Sequence, residues 1–318
     1  MSLHLVAHPP FSLSAVARSH GWTQLPPFDW ACPERRPELA EGPVACTEPS
    51  RSERDVDAEM LTRVERLSTG RVVVLRIHES ADGVTVEGVD GLSETERQEV
   101  ADKVRWMLQL DLDLSPFYAL ARDEPRLAHL EGGARGRILR SPTLFEDVVK
   151  TILTTNVAWS GTIRMAEGLV AGFGDPLPAE PTRHAFPTPE RLAAADEAAL
   201  RSTGLGYRAP YVLELARSVS SGQVELEALK DAELPTAELR KRLLAIKGVG
   251  AYAAASLLML LGHYDFVPVD SWAMKMVSRA WYGGEPVGRA EVEAAYERWG
   301  EWKGLAYWFW DWESVGSG

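Results

Sequence analysis

The 318-residue sequence predicts an α+β chain in two parts: a mixed α/β N-terminal domain with an antiparallel sheet over residues 1–112, and an all-helical region over residues 113–318. Three observations carry this prediction. Strand-like runs rich in β-branched residues lie before residue 110 and fade from Pro116 onward. The remainder divides into helix-length runs of periodic apolar residues, punctuated by glycine and proline. A hydrophobic content of 45% supplies material for cores of this size.

In order along the chain, "RVVVLRIHES" and "GVTVEGVD" are strands joined by the turn "ADG", which makes a hairpin. Before them, the stretch from Glu34 to Asp57 is rich in Pro, Glu, Arg and Ser and reads as a loop. "SETERQEVADKVRWMLQL" opens with a capping box, Ser93 with Glu96, and continues as a helix. "SPTLFEDVVKTILTTNVAWSGTIRMAEGLVAGFG" starts at a Ser-Pro cap, keeps apolar residues at three-to-four spacing and stops at Gly174. "TPERLAAADEAALRSTGLG" gives short helices ending at glycines, and "APYVLELARSVSSG" gives another helix. "TAELRKRLLAIKGVG" runs into a glycine hairpin at 246–250 and is followed by the small-residue helix "AYAAASLLMLLG".

Composition excludes several classes. Cys32 and Cys46 are too few for a disulfide framework and lack the clustering of a zinc or iron-sulfur site. No stretch reaches the roughly 18 apolar residues of a membrane span, and "MSLHLVAHPPF" lacks signal-peptide blocks, so a cytoplasmic protein is expected. The net charge of -12 argues against a polyanionic partner for the chain as a whole. Between Arg240 and Trp281, however, six Lys and Arg face two Asp, a local balance of +4. Such a segment fits a nucleic-acid footprint and a solvated helix face equally well.

The hairpin has a direct physical use. Gly248 and Gly250 permit tight backbone geometry, and the amides opening the next helix, with the positive end of its dipole, can hold a phosphate. An ordinary helix-helix turn has the same sequence pattern. Downstream, Asp270 in "VPVDSW" fits an N-cap for the run "SWAMKMV". It also fits a carboxylate that stabilises positive charge in a transition state.

Hairpin, apolar helix, short loop and aspartate together resemble the helix-hairpin-helix (HhH-GPD) DNA glycosylase superfamily. "FPTPERLAAADEAALRSTGLGYRAPYV" is similar to 3-methyladenine DNA glycosylase II and, in "GLGYRAPYV", to 8-oxoguanine DNA glycosylase; "YERWGEWKGLAYWFWDW" resembles their Trp-rich C-terminal helix. The likeness covers roughly residues 135–312. It implies that Asp270 is the catalytic carboxylate beside the deoxyribose, where charge develops as the N-glycosidic bond breaks. Strand-cleaving relatives carry a Schiff-base lysine two positions after the last hairpin glycine; here that position is Tyr252, which implies a monofunctional enzyme.

The resemblance assigns further roles. Tyr252, Trp272, Tyr307 and Asp311 would border the base, with Tyr252 as a buried packing tyrosine the alternative. Lys247, Gly248, Val249 and Gly250 would grip DNA. Asn156, Tyr207 and Arg208 would insert into the helix or meet the opposite base, with a local cap the alternative for Asn156. Main-chain carbonyls of Leu244, Ile246 and Val249 would hold a monovalent cation, sodium or potassium, beside a phosphate; no other cofactor is implied, and no iron-sulfur cluster. Trp302, Leu305, Ala306 and Phe309 form one apolar face and read as core. The residues departing from the 8-oxoguanine pattern at Tyr307 and Asp311, with the absent lysine, favour alkylated purines such as 3-methyladenine and 7-methylguanine, whose positive charge suits aromatic walls. The expected partner is double-stranded DNA with a damaged base, bound by a monomer. The alternatives are a glycosylase for mismatched uracil or thymine or for an oxidised purine, and an inactive DNA-binding relative.

Overall fold

In this computed structural model, residues 2–31, 59–269 and 271–311 are described. The loop expected at Glu34–Asp57, the cysteines Cys32 and Cys46, and Asp270 lie outside them.

Alternating side chains build the N-terminal sheet. Strands β1 (Leu3–Val6), β2 (Phe28–Ala31), β3 (Met60–Arg66), β4 (Val72–Ser80) and β5 (Gly83–Glu87) form one antiparallel sheet in the order β1-β5-β4-β3-β2. The predicted hairpin is β4–β5, with Ser80 opposite Gly83. The first strand closes the far edge by pairing with β5, Leu3 opposite Val86. Leu61, Leu75, Ile77, Val84 and Val86 are buried in the main core, whereas Val64, Val72 and Val74 face a smaller cluster with Leu177 and Ala185. Both sheet faces are therefore covered, which explains why β3 is buried through its length.

The short helix α1 (Leu13–Ala17) precedes β2, and α2 (Glu94–Leu108) follows β5 with the expected capping box: the Glu96 amide donates to Ser93 Oγ and the Ser93 amide to Glu96. Val100, Val104, Met107 and Leu108 make its buried stripe. The chain continues through α3 (Ser115–Ala121), α4 (His129–Gly132), α5 (Leu144–Leu153) and α6 (Trp159–Phe173). Where the sequence reads as one helical run from a Ser-Pro cap, two helices stand. Thr143 caps α5, and residues 154–158 interrupt the run with Asn156 at φ 50. The run does end at Gly174.

The region beyond residue 112 is not all-helical. Strands β6 (Pro176–Leu177) and β7 (Glu180–His184) form a small sheet whose polar sequence carries no alternating apolar signal, and they cover the outer face of β3 and β4. Helices α7 (Pro189–Ala193), α8 (Glu197–Leu200), α9 (Ala209–Ser220), α10 (Thr236–Leu244), α11 (Ala251–Leu261), α12 (Ser271–Trp281), α13 (Arg289–Tyr296) and α14 (Lys303–Trp308) follow. A contiguous core runs from Leu5 to Trp310 across both parts of the chain. Arg137 stitches them together, donating to the carbonyls of His8, Pro10, Gln109 and Leu112 at 2.6–3.0 Å.

A buried ionic cluster joins sheet and helices at α5. Arg63 of β3 forks onto Glu146 at 2.6 and 2.9 Å and reaches Glu65 at 2.6 Å; Lys150, one turn beyond, pairs with Glu146 at 2.7 Å. All four are buried. The Phe28 ring lies 4.6 Å from both the Arg63 guanidinium and the Lys150 ammonium. Burial works against the Glu146 carboxylate, but Arg63 and Lys150 outweigh it and hold its pKa at about 2.

Candidate nucleic-acid interface and base site

The hairpin stands between α10 and α11 as the glycines require. Gly248 adopts φ +90, and a Cβ there would come within 2.9 Å of the Tyr211 ring. Gly250 is different. It has φ −87 and ψ −174 as the residue opening α11, and a Cβ there would meet nothing within 4 Å. The protein's own packing demands glycine at 248 and tolerates a side chain at 250, so the open space at Gly250 is free for an approaching backbone. Gly250 supplies no side-chain acceptor to the opening amides of α11, which leaves them for an external anion.

Lys247 is exposed, and its ammonium pairs with Glu214 of α9 at 2.7 Å. Its charge is thus matched within the protein. The Ile246 carbonyl accepts the Val249 amide at 3.0 Å, which closes the turn. Leu244 ends α10, so its carbonyl belongs to the helix end where negative partial charge accumulates.

Tyr252 is the second residue of α11 and is 52% exposed. It is not a packing tyrosine. Asp270 lies outside the described residues; on either side stand Val269, packed against the core, and Ser271, which begins α12. Trp272, in the first turn of α12, is 46% exposed and meets Tyr307 edge to face, with ring centroids 6.4 Å apart. Tyr307 itself is buried. It contacts Tyr296, which also touches Trp281, Trp299 and Trp310. Tyr307 backs Trp272 from inside an aromatic core, while Trp272 offers the open face. Asp311 is half-buried, and its carbonyl accepts from Arg126 at 3.3 Å. Trp302 and Phe309 are partly buried around fully buried Leu305 and Ala306, as the apolar face predicts.

The break between α5 and α6 exposes Asn156 and Val157. Tyr207 and Arg208 converge on it. Tyr207, 49% exposed, places its hydroxyl 3.4 Å from the Thr155 carbonyl. Arg208 does not face solvent as a DNA contact would. It is buried, its guanidinium donates to the same Thr155 carbonyl, and it lies 4.5 Å from the Tyr207 ring centre. Sequence reasoning passed over Tyr211, Glu214 and Thr155. The spacing of three from Arg208, just before α9, to Tyr211 and Glu214 on it is the signal that was available.

A glycine hairpin with open helix-start amides, an exposed asparagine loop and a solvent-facing tryptophan backed by an aromatic core define a DNA-binding helix-hairpin-helix protein. Residues 149–301, a little under half of the chain, match the family described as HhH-GPD superfamily base excision DNA repair protein. It is 27% identical over 224 residues to a probable N-glycosylase/DNA lyase of Methanothermobacter thermautotrophicus, covering 63% of this chain and 70% of that protein. It is 28% identical over 166 residues to the DNA-3-methyladenine glycosylase of Bacillus subtilis, covering 51% of this chain and little more than half, 54%, of that relative. The structure of MBOgg1 in complex with a low affinity DNA ligand shares the fold, with a TM-score of 0.71, 23% identity and coverage of 99% of this chain and 96% of that one. Among the described residues, no helix is long and apolar enough to cross a membrane.

Proposed function

We propose that the protein is a monofunctional DNA glycosylase of base excision repair that extrudes damaged bases from duplex DNA and releases them hydrolytically, with alkylated purines as its substrates. The observation that carries this reading is Tyr252: an exposed phenol on the first turn of α11 stands where strand-cleaving relatives place a lysine. A phenol forms no Schiff base, so the sugar is attacked by water rather than by the protein. Asp270 is the carboxylate assigned to the developing positive charge on the sugar and to orienting that water. Trp272 gives the flipped base an electron-rich wall, which favours cationic purines. The amides at Gly250 take a phosphate, and a monovalent cation on the carbonyls of Leu244, Ile246 and Val249 would neutralise it from the other side.

Similarity to an N-glycosylase/DNA lyase supports a second reading, a bifunctional enzyme for oxidised purines. One assay decides between them. Duplexes bearing single 3-methyladenine, 7-methylguanine, 8-oxoguanine or mismatched uracil are incubated with the protein and analysed before and after hot alkali. Breaks only after alkali, strongest for the alkylated purines and abolished by Asp270→Asn, are expected. Breaks without alkali would refute the monofunctional reading, and full activity of Asp270→Asn would refute the catalytic assignment.

A further inference from the structure

We propose that one face of α9 is a strut that fixes the phosphate-gripping hairpin and the Asn156 loop relative to each other, with Arg208, Tyr211 and Glu214 as positioning residues for insertion into the DNA helix. The proposal rests on the reading above in that both loops engage duplex DNA. At a spacing of three, these residues lie on one side of α9 and its preceding turn, within an arc of about 120°. Each touches a DNA-facing segment. Arg208 holds the Thr155 carbonyl, one residue before Asn156. Tyr211 lies against Gly248 so closely that no Cβ fits between them. Glu214 holds Lys247 at 2.7 Å. Tyr207 and Tyr211 meet edge to face with ring centroids 6.3 Å apart, joining the loop end of the face to its hairpin end.

The geometry serves a task that neither loop performs alone. A side chain entering the base stack must do so at a set distance from the gripped phosphate, and a misplacement of about 1 Å costs on the order of 100-fold in such positioned steps. The residues of the strut are not otherwise explained. Arg208 is a buried guanidinium with no carboxylate within 4 Å among the described residues, spent on a main-chain carbonyl of an exposed loop. The exposed Glu214–Lys247 pair adds little stability and cancels a charge that would favour DNA, so orientation is the role left to it. The close packing of Tyr211 on Gly248 is the stiff joint.

The test uses the whole chain and a duplex containing one abasic-site analogue with 2-aminopurine beside it. Fluorescence anisotropy reads binding, and 2-aminopurine emission reads insertion into the gap. Tyr211→Leu is expected to reduce insertion about tenfold, with Tyr211→Phe restoring it to within about twofold of the unaltered protein. Asn156→Ala is expected to cost less insertion in the Tyr211→Leu background than it costs alone. Losses that simply multiply would show that hairpin and loop act independently and would overturn the proposal, as would normal insertion by Tyr211→Leu. Glu214→Gln, an exposed change that leaves folding intact, is expected to shift insertion in the same direction by a smaller factor; an unchanged value removes Glu214 from the strut. Neither readout uses base release, so failure to release any base refutes the glycosylase reading while leaving this test in force. Absence of any binding by the unaltered protein refutes both.

Discussion

Replacing Glu146 by glutamine keeps the shape of the side chain and removes the carboxylate that, among the described residues, both Arg63 and Lys150 contact. The expected loss follows from the burial of the three groups, of which the exposed fraction is 1% for Arg63 and Glu146 and 0% for Lys150. Removing one partner from such a cluster leaves buried charge uncompensated and costs about 3–5 kcal/mol. The proton linkage gives a compatible figure. A Glu146 pKa brought from 4.5 to about 2 corresponds to roughly 3 kcal/mol in favour of the folded state at neutral pH. Because the folded-state value is the lower one, this stabilisation is complete above pH 4.5 and is lost as pH falls toward 2. Urea unfolding followed by tryptophan fluorescence at pH 7, and again between pH 2 and 5, measures both quantities. Glu146→Gln should lose about 3–5 kcal/mol at pH 7 and should lack the acid-dependent fall over that window. The exposed pair Arg289–Glu293 is the control, since Glu293→Gln should change stability by less than about 1 kcal/mol. A Glu146→Gln protein within about 1 kcal/mol of the parent, or one with the parent's acid dependence, would refute the reasoning.

Three further outcomes separate folding from function. Gly248→Ala should destabilise the free protein by about 1–3 kcal/mol, because φ +90 and the Tyr211 ring both oppose a Cβ; Gly250→Ala should leave its unfolding unchanged or slightly stabilised yet weaken duplex binding, as titrations with labelled DNA would show. Burial pushes the Asp147 carboxyl up to about 6, against hydrogen bonds from Trp22 and Ser141 that favour its ionised form. A raised folded-state pKa means that stability falls as pH rises from 3.8 through about 6, and Asp147→Asn should remove that slope in melting experiments across pH 4–8. Trp272→Ala, at a position 46% exposed, should alter stability by less than about 1 kcal/mol while slowing base release in single-turnover assays; equal rates would exclude it from the base site.

What was legible in the sequence is what short-range chemistry dictates. Ser93 and Glu96 satisfy each other's helix-end donors three residues apart, the β4–β5 turn spans two residues, and Gly248 of "KGVG" marks a backbone conformation that needs glycine. The features that escaped depend on partners distant in the chain. Arg63 and Glu146 are 83 residues apart, and nothing local distinguishes them from surface charges. Arg208 looks like a DNA contact until the Thr155 carbonyl, 53 residues earlier, turns it inward. The break at Asn156 is hidden because apolar periodicity continues through it; a left-handed asparagine is detectable only in the backbone. The packing of Tyr307 against Tyr296 is hidden for a related reason, since an aromatic helix shows which residues are apolar but not which of them are enclosed.

The acidity of the chain and its attachment to DNA are reconciled at the hairpin. Some basic side chains near the interface are matched within the protein, Lys247 by Glu214, Arg242 by Glu238 and Arg201 by Glu197, whereas Lys241, Lys275 and Arg279 stay exposed. Arg240 lies over the Phe266 ring, 5.4 Å from its centre. The amides that open α11 at Gly250 offer a phosphate an attraction that needs no formal charge. This makes the grip short-ranged and dependent on position. A phosphate gains from those amides only when the hairpin sits at the right place on the backbone. A recognition mode built on geometry rather than charge requires that the hairpin and the inserting loop keep a constant separation, and Tyr211 packed on Gly248 supplies the contact that would hold it.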